Sequence, residues 1–596
     1  MNLKAQGQIR RSQVITTWGP GALLDLPRYS VIVGGLETWP NLNNLVEVIE
    51  PRLAAKLQTM TSIPNPRLFQ PPGDSSAPWE TPLGIGVYRF PLWFLVQDEG
   101  GNARERSRRL VPRKALDDRG KFEGEQVVPT RFVRACARGH VDDLNWRAFV
   151  HDPGGTCKRQ LWLDERGTGG DLADLVVRCE CGKSRGMHEA ADLDLNALGT
   201  CEGARPWLGE YAREVCGQPS RLLIRTATNS YFPQVVSVLS LPARGSAVED
   251  VVRQNWDRLM IADSAMTLAV LRRLPGLTEA LAPFSDDEIL DAVEAIKLGT
   301  SDERPVKLVE LDAILAVPEG YGDDVPLDPD FHARRLPESV WRRSPRSAGI
   351  ESVIQLHRLR EILAIAGFTR FEAVTPDIDG EYDTDVQLAQ LAREPQWFPA
   401  VENRGEGIFI QLRGEAVAEW LKRMAVEERL NQLAGGHDKW LDRRKRKRSF
   451  PGGPYVLLHT LSHLLLQSLS MRCGYPASSI RERVYADFAG SRYGILLYTG
   501  SPDAEGTLGG LVQEARHIER HLEQALRSGA LCSNDPICAQ HSPSDSLEDR
   551  WLQGAACHGC TLVAETSCEM RNDYLDRALV IPVLGMPDAA FFDPVE

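Results

Sequence analysis

Long apolar runs and an apolar leader are both missing from this 596-residue sequence. No stretch approaches the ~20 consecutive apolar residues that a helix needs to cross a bilayer. The first residues, MNLKAQGQIRRSQ, lack the apolar core of a signal peptide. We therefore expect a cytoplasmic protein with no membrane contact.

An excess of positive charge is missing as well. The 69 Lys and Arg residues are outnumbered by 82 Asp and Glu residues, which gives a net charge of -13. Since basic side chains supply most non-specific affinity for DNA, this composition excludes a protein that coats DNA with its whole surface. Any contact with DNA must be local.

One short run of positive charge stands out against the acidic background. It consists of six adjacent residues: Arg443, Arg444, Lys445, Arg446, Lys447 and Arg448. This run is our first candidate for DNA binding, and Arg10 and Arg11 are the second. The alternative interpretation is a solvated loop.

Two catalytic signatures are absent or incomplete. The phosphate-cradling pattern GxxxxGK[ST] does not occur, so we do not expect the chain to hydrolyse ATP by itself. His459 and His463 in HTLSH have the spacing of zinc-protease ligands, but Thr460 replaces the expected Glu. This favours a buried, hydrogen-bonded histidine pair. Asp and Glu residues are scattered along the sequence, so a nuclease site built from carboxylates stays an alternative.

Length and composition predict a folded protein with several domains. Apolar residues make up 42% of the chain and charged residues 25%, as in globular proteins. A chain of 596 residues is too long to fold around a single hydrophobic core. The mixed local patterns predict an α+β fold. Four segments are expected: a strand and loop region (1–130), a Cys/His-rich zinc-binding region (131–245), a mainly helical middle domain ending in the basic run as a linker (246–450), and an α/β zinc module (451–596).

Local patterns predict several elements. RLLIRTATNSYFPQVVSVLSLP is rich in β-branched residues and predicts one or two strands. Helical spacing predicts helices at Ser352–Ala366 and Glu415–Leu433, the second stopping before Gly435 and Gly436. YVLLHTLSHLLLQSL is apolar nearly all round, which predicts a helix buried on most sides.

Five cysteines between positions 532 and 568 give the strongest chemical signal. Two thiolates separated by two residues, as in CHGC, bind one tetrahedral ion from a tight turn, and a second pair completes the coordination. Clustered cysteines in a long chain without a leader indicate zinc more often than disulfides. The predicted ligands are Cys538, Cys557, Cys560 and Cys568, with Cys532 as the first substitute. The alternative is a set of unrelated buried cysteines.

A second group of cysteines and histidines lies between residues 136 and 216, with irregular spacing. We predict one site from Cys179, Cys181, Cys201 and Cys216. An incomplete second set contains Cys136, His140 and Cys157, and His151 would complete it. Closed four-ligand sites leave no position for a reacting water, so we predict one or two structural zinc ions.

Five motifs carry a resemblance that spans nearly the whole chain: RRSQVITTWGPGALLDLP, CARGHVDDLNW, RTATNSYFP, LHTLSHLLL and GAACHGCTLVAETSCEMRNDYLDR. Together they resemble the DrmB family of the DISARM antiphage defence system. The C-terminal part is similar to a zinc-binding module at the C-terminus of certain DEAD/DEAH-box helicases. That resemblance implies Cys557, Cys560 and Cys568 as zinc ligands, preceded by Cys538.

The resemblance implies a non-catalytic, zinc-binding subunit that forms a heterodimer with a DrmA-type DNA helicase. The helicase would supply the ATPase motor, and the complex would bind DNA. Two alternatives remain: a metal-dependent nuclease or other hydrolase acting on DNA, and a zinc-dependent DNA-binding protein without a motor partner.

Overall fold

A computed structural model gives the architecture of the chain. It describes residues 7–26, 29–73, 83–97, 106–151, 156–166, 170–241, 248, 251–252, 255–297, 304–322, 330–342, 344–382, 386–444, 446–500, 510–544 and 549–594. No helix within these ranges combines the length and the apolar character that a membrane span requires.

Twenty strands and fifteen main helices form the described part of the chain. The strands are β1 (Leu23–Asp25), β2 (Ser30–Val33), β3 (Glu47–Val48), β4 (Arg67–Phe69), β5 (Val87–Arg89), β6 (Trp93–Val96), β7 (Arg106–Pro112), β8 (Val127–Pro129), β9 (Phe132–Ala135), β10 (Val141–Asp143), β11 (Leu161–Glu165), β12 (Leu175–Cys179), β13 (Ser184–Gly186), β14 (Arg221–Ile224), β15 (Phe232–Ser240), β16 (Phe331–Arg335), β17 (Ile350–Thr369), β18 (Trp397–Leu412), β19 (Ile480–Asp487) and β20 (Arg492–Thr499). The helices are Arg11–Thr16, Pro51–Thr61, Trp146–His151, His188–Ala191, Trp256–Leu259, Ala265–Leu271, Leu277–Leu281, Asp286–Lys297, Val306–Leu315, Glu338–Trp341, Gly414–Leu421, Met424–Arg444, Gly453–Cys473, Gly510–Glu514 and Ile518–Ala530.

An eight-stranded sheet forms the centre of the molecule. Its strands follow the order β15-β17-β18-β20-β19, β16 pairs with β17, and β3 joins through β4, which runs parallel to β18. Each of the four segments expected from the sequence contributes at least one strand to this sheet. The confirmed α+β class is therefore built around a shared sheet.

Three smaller sheets lie in the N-terminal part of the chain. They have the orders β1-β2-β5, β10-β9-β14 and β13-β12-β11-β7-β6-β8. The hairpins β9–β10 and β12–β13 of the last two sheets each present a tight turn that carries cysteine side chains. These turns hold two of the candidate metal groups.

The helix Gly453–Cys473 is buried along most of its length, as the sequence predicts. It packs against β19, β20 and the helix Ile518–Ala530, within the largest apolar cluster of the protein. A fully buried helix cannot place a polar side chain in water, so His459 and His463 must find partners inside the protein. This position makes them candidates for a site.

Two of the predicted elements are wrong. The segment Ser352–Ala366 belongs to the long strand β17 and is not a helix. The helix Met424–Arg444 runs through Gly435 and Gly436 and does not stop before them. A Cβ on Gly436 would lie 2.4 Å from the carbonyl oxygen of Trp551, so this glycine permits close packing inside a helix.

Candidate metal centres

Four groups of side chains bring potential metal ligands together, and in each group the ligand atoms lie within 4.8 Å of one another. All twelve cysteines are unpaired by disulfides. The groups are Cys136, His140, Cys201 and Cys216; His151, Cys157, Cys179 and Cys181; Cys532, Cys538, Cys557 and Cys560; and His459, His463, Glu482 and Cys568.

The C-terminal cysteine group has the spacing of a tetrahedral zinc site. The sulfur atoms of Cys532 and Cys557 lie 3.4 Å apart, those of Cys557 and Cys560 3.6 Å, and those of Cys538 and Cys560 3.8 Å. Four thiolates bound at 2.3 Å around one ion would be separated by about 3.8 Å. These distances exceed a disulfide bond of about 2.05 Å. The group therefore fits zinc.

Backbone amides point at the sulfur atoms of this group. Gly559 N donates to Cys557 Sγ over 3.3 Å, and Asn534 N donates to Cys532 Sγ over 3.4 Å. Hydrogen bonds of this kind stabilise the thiolate, which is the form of cysteine that binds metal. The turns that carry the cysteines thus prepare them as ligands.

The fourth ligand of this group differs from the predicted one. The sequence predicts Cys568 in the site and Cys532 as a substitute, whereas the structure places Cys532 in the group and Cys568 beside His459. Cys532 comes two residues after the helix Ile518–Ala530, whose end brings it to Cys557. Cys568 is separated from Cys560 by a loop and a short turn and reaches the buried helix instead.

The first N-terminal group lies at the turn between β9 and β10. Cys136 and His140 bracket this turn, and Gly139 adopts a left-handed φ of 84° that closes it. His140 Nε2 donates a hydrogen bond of 2.8 Å to Glu214, while Nδ1 faces Cys136 Sγ at 3.3 Å. A second nitrogen held by a carboxylate is the usual arrangement of a metal-binding histidine.

The second N-terminal group repeats this design at the turn between β12 and β13. Cys179 and Cys181 lie in the turn, and Gly182 closes it with a φ of 97°. His151 Nδ1 donates to the carbonyl of Arg147 over 3.0 Å, which leaves Nε2 facing Cys181 Sγ at 3.2 Å. The group is completed by Cys157, 3.7 Å from Cys179.

The predicted grouping of the N-terminal cysteines is therefore wrong. Cys179 and Cys181 do not share a site with Cys201 and Cys216, because the first pair lies at the β12–β13 hairpin and the second lies in loops beside the β9–β10 turn. Cys201 and Cys216 join Cys136 and His140, and the predicted incomplete set divides between both groups. His151 takes the place expected for an additional ligand, but beside Cys157, Cys179 and Cys181. Both groups contain four potential ligands.

In each of the three groups that contain three or more cysteines, one thiol has a lowered pKa. Hydrogen bonding from Cys538 lowers the pKa of Cys560 to about 5, and hydrogen bonding from Cys136 lowers the pKa of Cys201 to about 4. The backbone amide of Lys183, followed by His151, lowers the pKa of Cys181 to about 6. Each group therefore offers a thiolate near neutral pH.

The fourth group is built differently, with one cysteine, one carboxylate and two histidines. His459 Nε2 lies 2.9 Å from Glu482 Oε1, and His463 Nε2 lies 3.3 Å from the same oxygen. Cys568 Sγ is 3.1 Å from His459 Nε2. Burial raises the pKa of Glu482, but the attraction of the two histidines outweighs it and holds the pKa well below its usual range. The predicted histidine pair is buried and has a carboxylate and a thiol as neighbours.

A cavity of about 850 Å³ borders this fourth group. Glu482 and Cys568 contribute to its wall, which also contains Arg225, Arg481 and Arg483. These three arginines form ion pairs with Asp25, Glu361 and Glu310. The cavity therefore combines potential metal ligands with balanced charge.

The basic run lies at the end of the helix Met424–Arg444 and in the loop that follows it. Arg443 pairs with Asp549 at 2.9 Å, and Arg444 pairs with Glu372 at 2.8 Å. Arg448 donates to Thr375 and Pro376, so it is anchored in the protein. Lys447 is exposed, and Lys445 lies outside the described residues. Of the second candidates, Arg11 donates to Gln70, and Arg10 is the N-cap residue that precedes the first helix.

The pentapeptide GKSRG at residues 182–186 has the letter pattern of a hydrolase nucleophile turn, GxSxG. In hydrolases that serine occupies a sharp turn between a strand and a helix. Here Ser184 begins β13, after a hairpin turn from β12. Its surroundings do not match a nucleophile turn.

Two family models and a curated relative match this chain, and one of the models is a zinc-binding domain. Residues 10–232, which contain both N-terminal groups, match a domain of unknown function (DUF8724). Residues 461–561 match the MrfA Zn-binding domain, a range that contains Cys532, Cys538, Cys557 and Cys560 and ends before Cys568. The DISARM protein DrmB of Bacillus paralicheniformis is 32% identical over 495 residues, which cover 78% of this chain and 82% of that protein.

The chain belongs to the DrmB family. The resemblance noted in the sequence is confirmed, and the chain is a component of a DISARM defence system. It contains a zinc-binding domain in its C-terminal region.

Proposed function

We propose that this DrmB chain is a non-catalytic, zinc-binding subunit that holds a DrmA-type DNA helicase on DNA. The observation that carries the proposal is the set of three closed Cys/His groups, each with four ligands, in a DrmB relative whose sequence lacks a P-loop. Closed four-ligand sites stabilise folds and leave no position for a reacting water. The motor activity must then come from another chain.

Zinc is the metal that these three groups suit. Thiolate and imidazole ligands in a tetrahedral arrangement favour zinc over magnesium or calcium, which prefer oxygen ligands. The free thiols suit a reducing compartment, so we place the protein in the cytoplasm. Each ion would connect a hairpin or turn to a distant part of the chain. It would thereby stabilise a region that otherwise needs a larger hydrophobic core.

DNA contacts are proposed for the basic run. Arg443 lies 4.8 Å from the ring of Trp551, and Arg444 lies 5.5 Å from the ring of Trp440. Arginine beside aromatic rings is common on surfaces that bind single-stranded nucleic acid. The ion pairs of Arg443 and Arg444 are exposed, and such pairs contribute little stability, so phosphates can replace their carboxylates at low cost.

A second candidate function is a metal-dependent hydrolase acting on DNA. The observation that favours it is the position of Glu482 and Cys568 on the wall of the large cavity. Against it, the four potential protein ligands of that group would fill a tetrahedral ion. A catalytic zinc ion needs an open position.

The two functions differ in what the isolated chain does. The subunit proposal predicts that the purified chain binds zinc, associates with the helicase and does not cut DNA. The hydrolase proposal predicts cleavage of DNA by the chain alone. Incubating the chain with linear DNA and Zn²⁺, Mn²⁺ or Mg²⁺, with the Glu482→Gln variant beside it, distinguishes them.

A further inference from the structure

We propose that His459, His463, Glu482 and Cys568 bind a zinc ion of their own inside the C-terminal module. This site is distinct from the four-cysteine group that lies within the matched zinc-binding domain. The proposal of this zinc site does not depend on the helicase partnership or on DNA binding.

His463 presents a lone pair to a carboxylate. Its Nδ1 donates a hydrogen bond of 2.8 Å to the carbonyl oxygen of Thr561, and that carbonyl can only accept. In the neutral ring, Nε2 is then an acceptor, yet it faces Glu482 Oε1 at 3.3 Å. Two acceptors face each other unless a proton or a metal ion lies between them.

Glu482 has a second, different partner. Its Oε2 accepts a hydrogen bond from Ser462, so the carboxylate is oriented with Oε1 towards the histidines. The sulfur of Cys568 accepts a hydrogen bond of 3.1 Å from the backbone amide of Asn572, as a metal-bound thiolate does. Three of the four ligands, His463, Glu482 and Cys568, are therefore held from behind. The fourth, His459, has no hydrogen-bond partner at Nδ1 among the described residues.

Burial makes an uncompensated charge costly at this place. His459, His463 and Glu482 are fully buried, and Cys568 is 7% exposed. A buried carboxylate requires a compensating positive charge. A divalent ion would supply that charge and balance Glu482 and the Cys568 thiolate together.

The ligand set and the distances favour zinc. Two nitrogens, one oxygen and one sulfur bound at 2.0–2.3 Å in a tetrahedron would be separated by about 3.3–3.7 Å. Three of the separations here are 2.9, 3.1 and 3.3 Å. A movement of a few tenths of an ångström therefore suffices to accept the ion. With four protein ligands the site is closed and structural.

The proposed ion lies next to the four-cysteine group. Thr561, which holds His463, directly follows Cys560, and Gln467 on the same helix donates to the carbonyl of Cys560 over 3.1 Å. The buried helix Gly453–Cys473 thus contributes two ligands to one site and supports the turn of the other. The C-terminal module would contain two neighbouring zinc ions.

Zinc content tests the proposal directly. Full-length protein, wild type or with His463→Gln, is analysed for zinc per chain by mass spectrometry. His521→Gln is the matched control, since His521 is also fully buried and binds Ser468 and Glu514 outside the group. We expect His463→Gln to lose one ion per chain and His521→Gln to lose none. An unchanged content in folded His463→Gln would overturn the proposal.

A measurement on the wild-type chain covers the case in which His463→Gln does not fold. Crystals of the wild-type protein at the zinc absorption edge should give an anomalous peak between His459, His463, Glu482 and Cys568. A peak in the four-cysteine group without one here would refute the fourth site and leave the proposed function intact.

Discussion

The sulfur atom of Cys532 lies 3.4 Å from that of Cys557, although 25 residues separate them in the chain. This contact joins the end of the helix Ile518–Ala530 to the turn Cys557–Cys560. It gives the four-cysteine group its fourth member. A zinc ion here would therefore connect the helical part of the module to its C-terminal loops.

Replacing Cys532 with serine should remove one zinc ion and lower the melting temperature. Structural zinc contributes directly to folding. A loss of about 2 kcal/mol in the free energy of unfolding lowers the melting temperature of a domain of roughly 150 residues by about 4–8 °C. Elemental analysis and a thermal melt measure both effects. Cys473→Ser is the control, since Cys473 belongs to none of the four groups among the described residues. A full zinc content in Cys532→Ser would show that the group is not a site.

The two N-terminal groups should lose zinc independently. Cys179→Ser and Cys201→Ser should each remove one ion, and the double variant should remove two, because the residues belong to different groups. If both cysteines shared one site, as their sequence order suggests, the double variant would lose a single ion. Counting zinc in the three variants decides between these arrangements.

Reversing charge in the basic run should weaken DNA binding by the helicase complex. Arg444→Glu with Arg446→Glu removes two positive side chains, which should lower the salt dependence of log K by about 2. Titrations at several salt concentrations measure this slope. The control variant reverses two exposed arginines elsewhere, Arg273 and Arg527. An unchanged slope would identify the run as a solvated surface.

The isolated chain should leave DNA intact in the presence of divalent metal ions. The fourth group has no open position for an attacking water when all four side chains bind an ion. A gel assay with linear and single-stranded DNA tests this. Metal-dependent cleavage that disappears in Glu482→Gln would establish the hydrolase instead.

Part of this architecture can be predicted from the sequence alone. The helix Gly453–Cys473 is predictable because apolar residues surround it on all sides. Strand β17 is not, because two of its central charged residues are buried and paired: Arg360 pairs with Glu402, and Glu361 pairs with Arg481. Alternation of polar and apolar residues, the usual sign of a strand, is therefore absent.

The sequence predicts that metal sites exist more reliably than it predicts which residues share a site. Eleven of the twelve cysteines belong to the four groups, so clustering does indicate metal sites. Which cysteines share a site depends on which sheet carries each hairpin. The spacing of the cysteines along the sequence does not reveal this. The turns CARGH and CECGK, however, share a pattern of cysteine followed by glycine three residues later. This pattern, which occurs in both turns, is a sequence signal for two separate metal groups.

Co-purification with the DrmA-type helicase tests the central claim most directly. The two chains are expressed together and apart, and zinc content, DNA affinity and ATPase activity are measured for each sample. We predict a stable zinc-containing complex that binds DNA more tightly than the helicase alone, while this chain alone has no ATPase activity. Failure of the two chains to associate, together with metal-dependent DNA cleavage by this chain alone, would contradict the account.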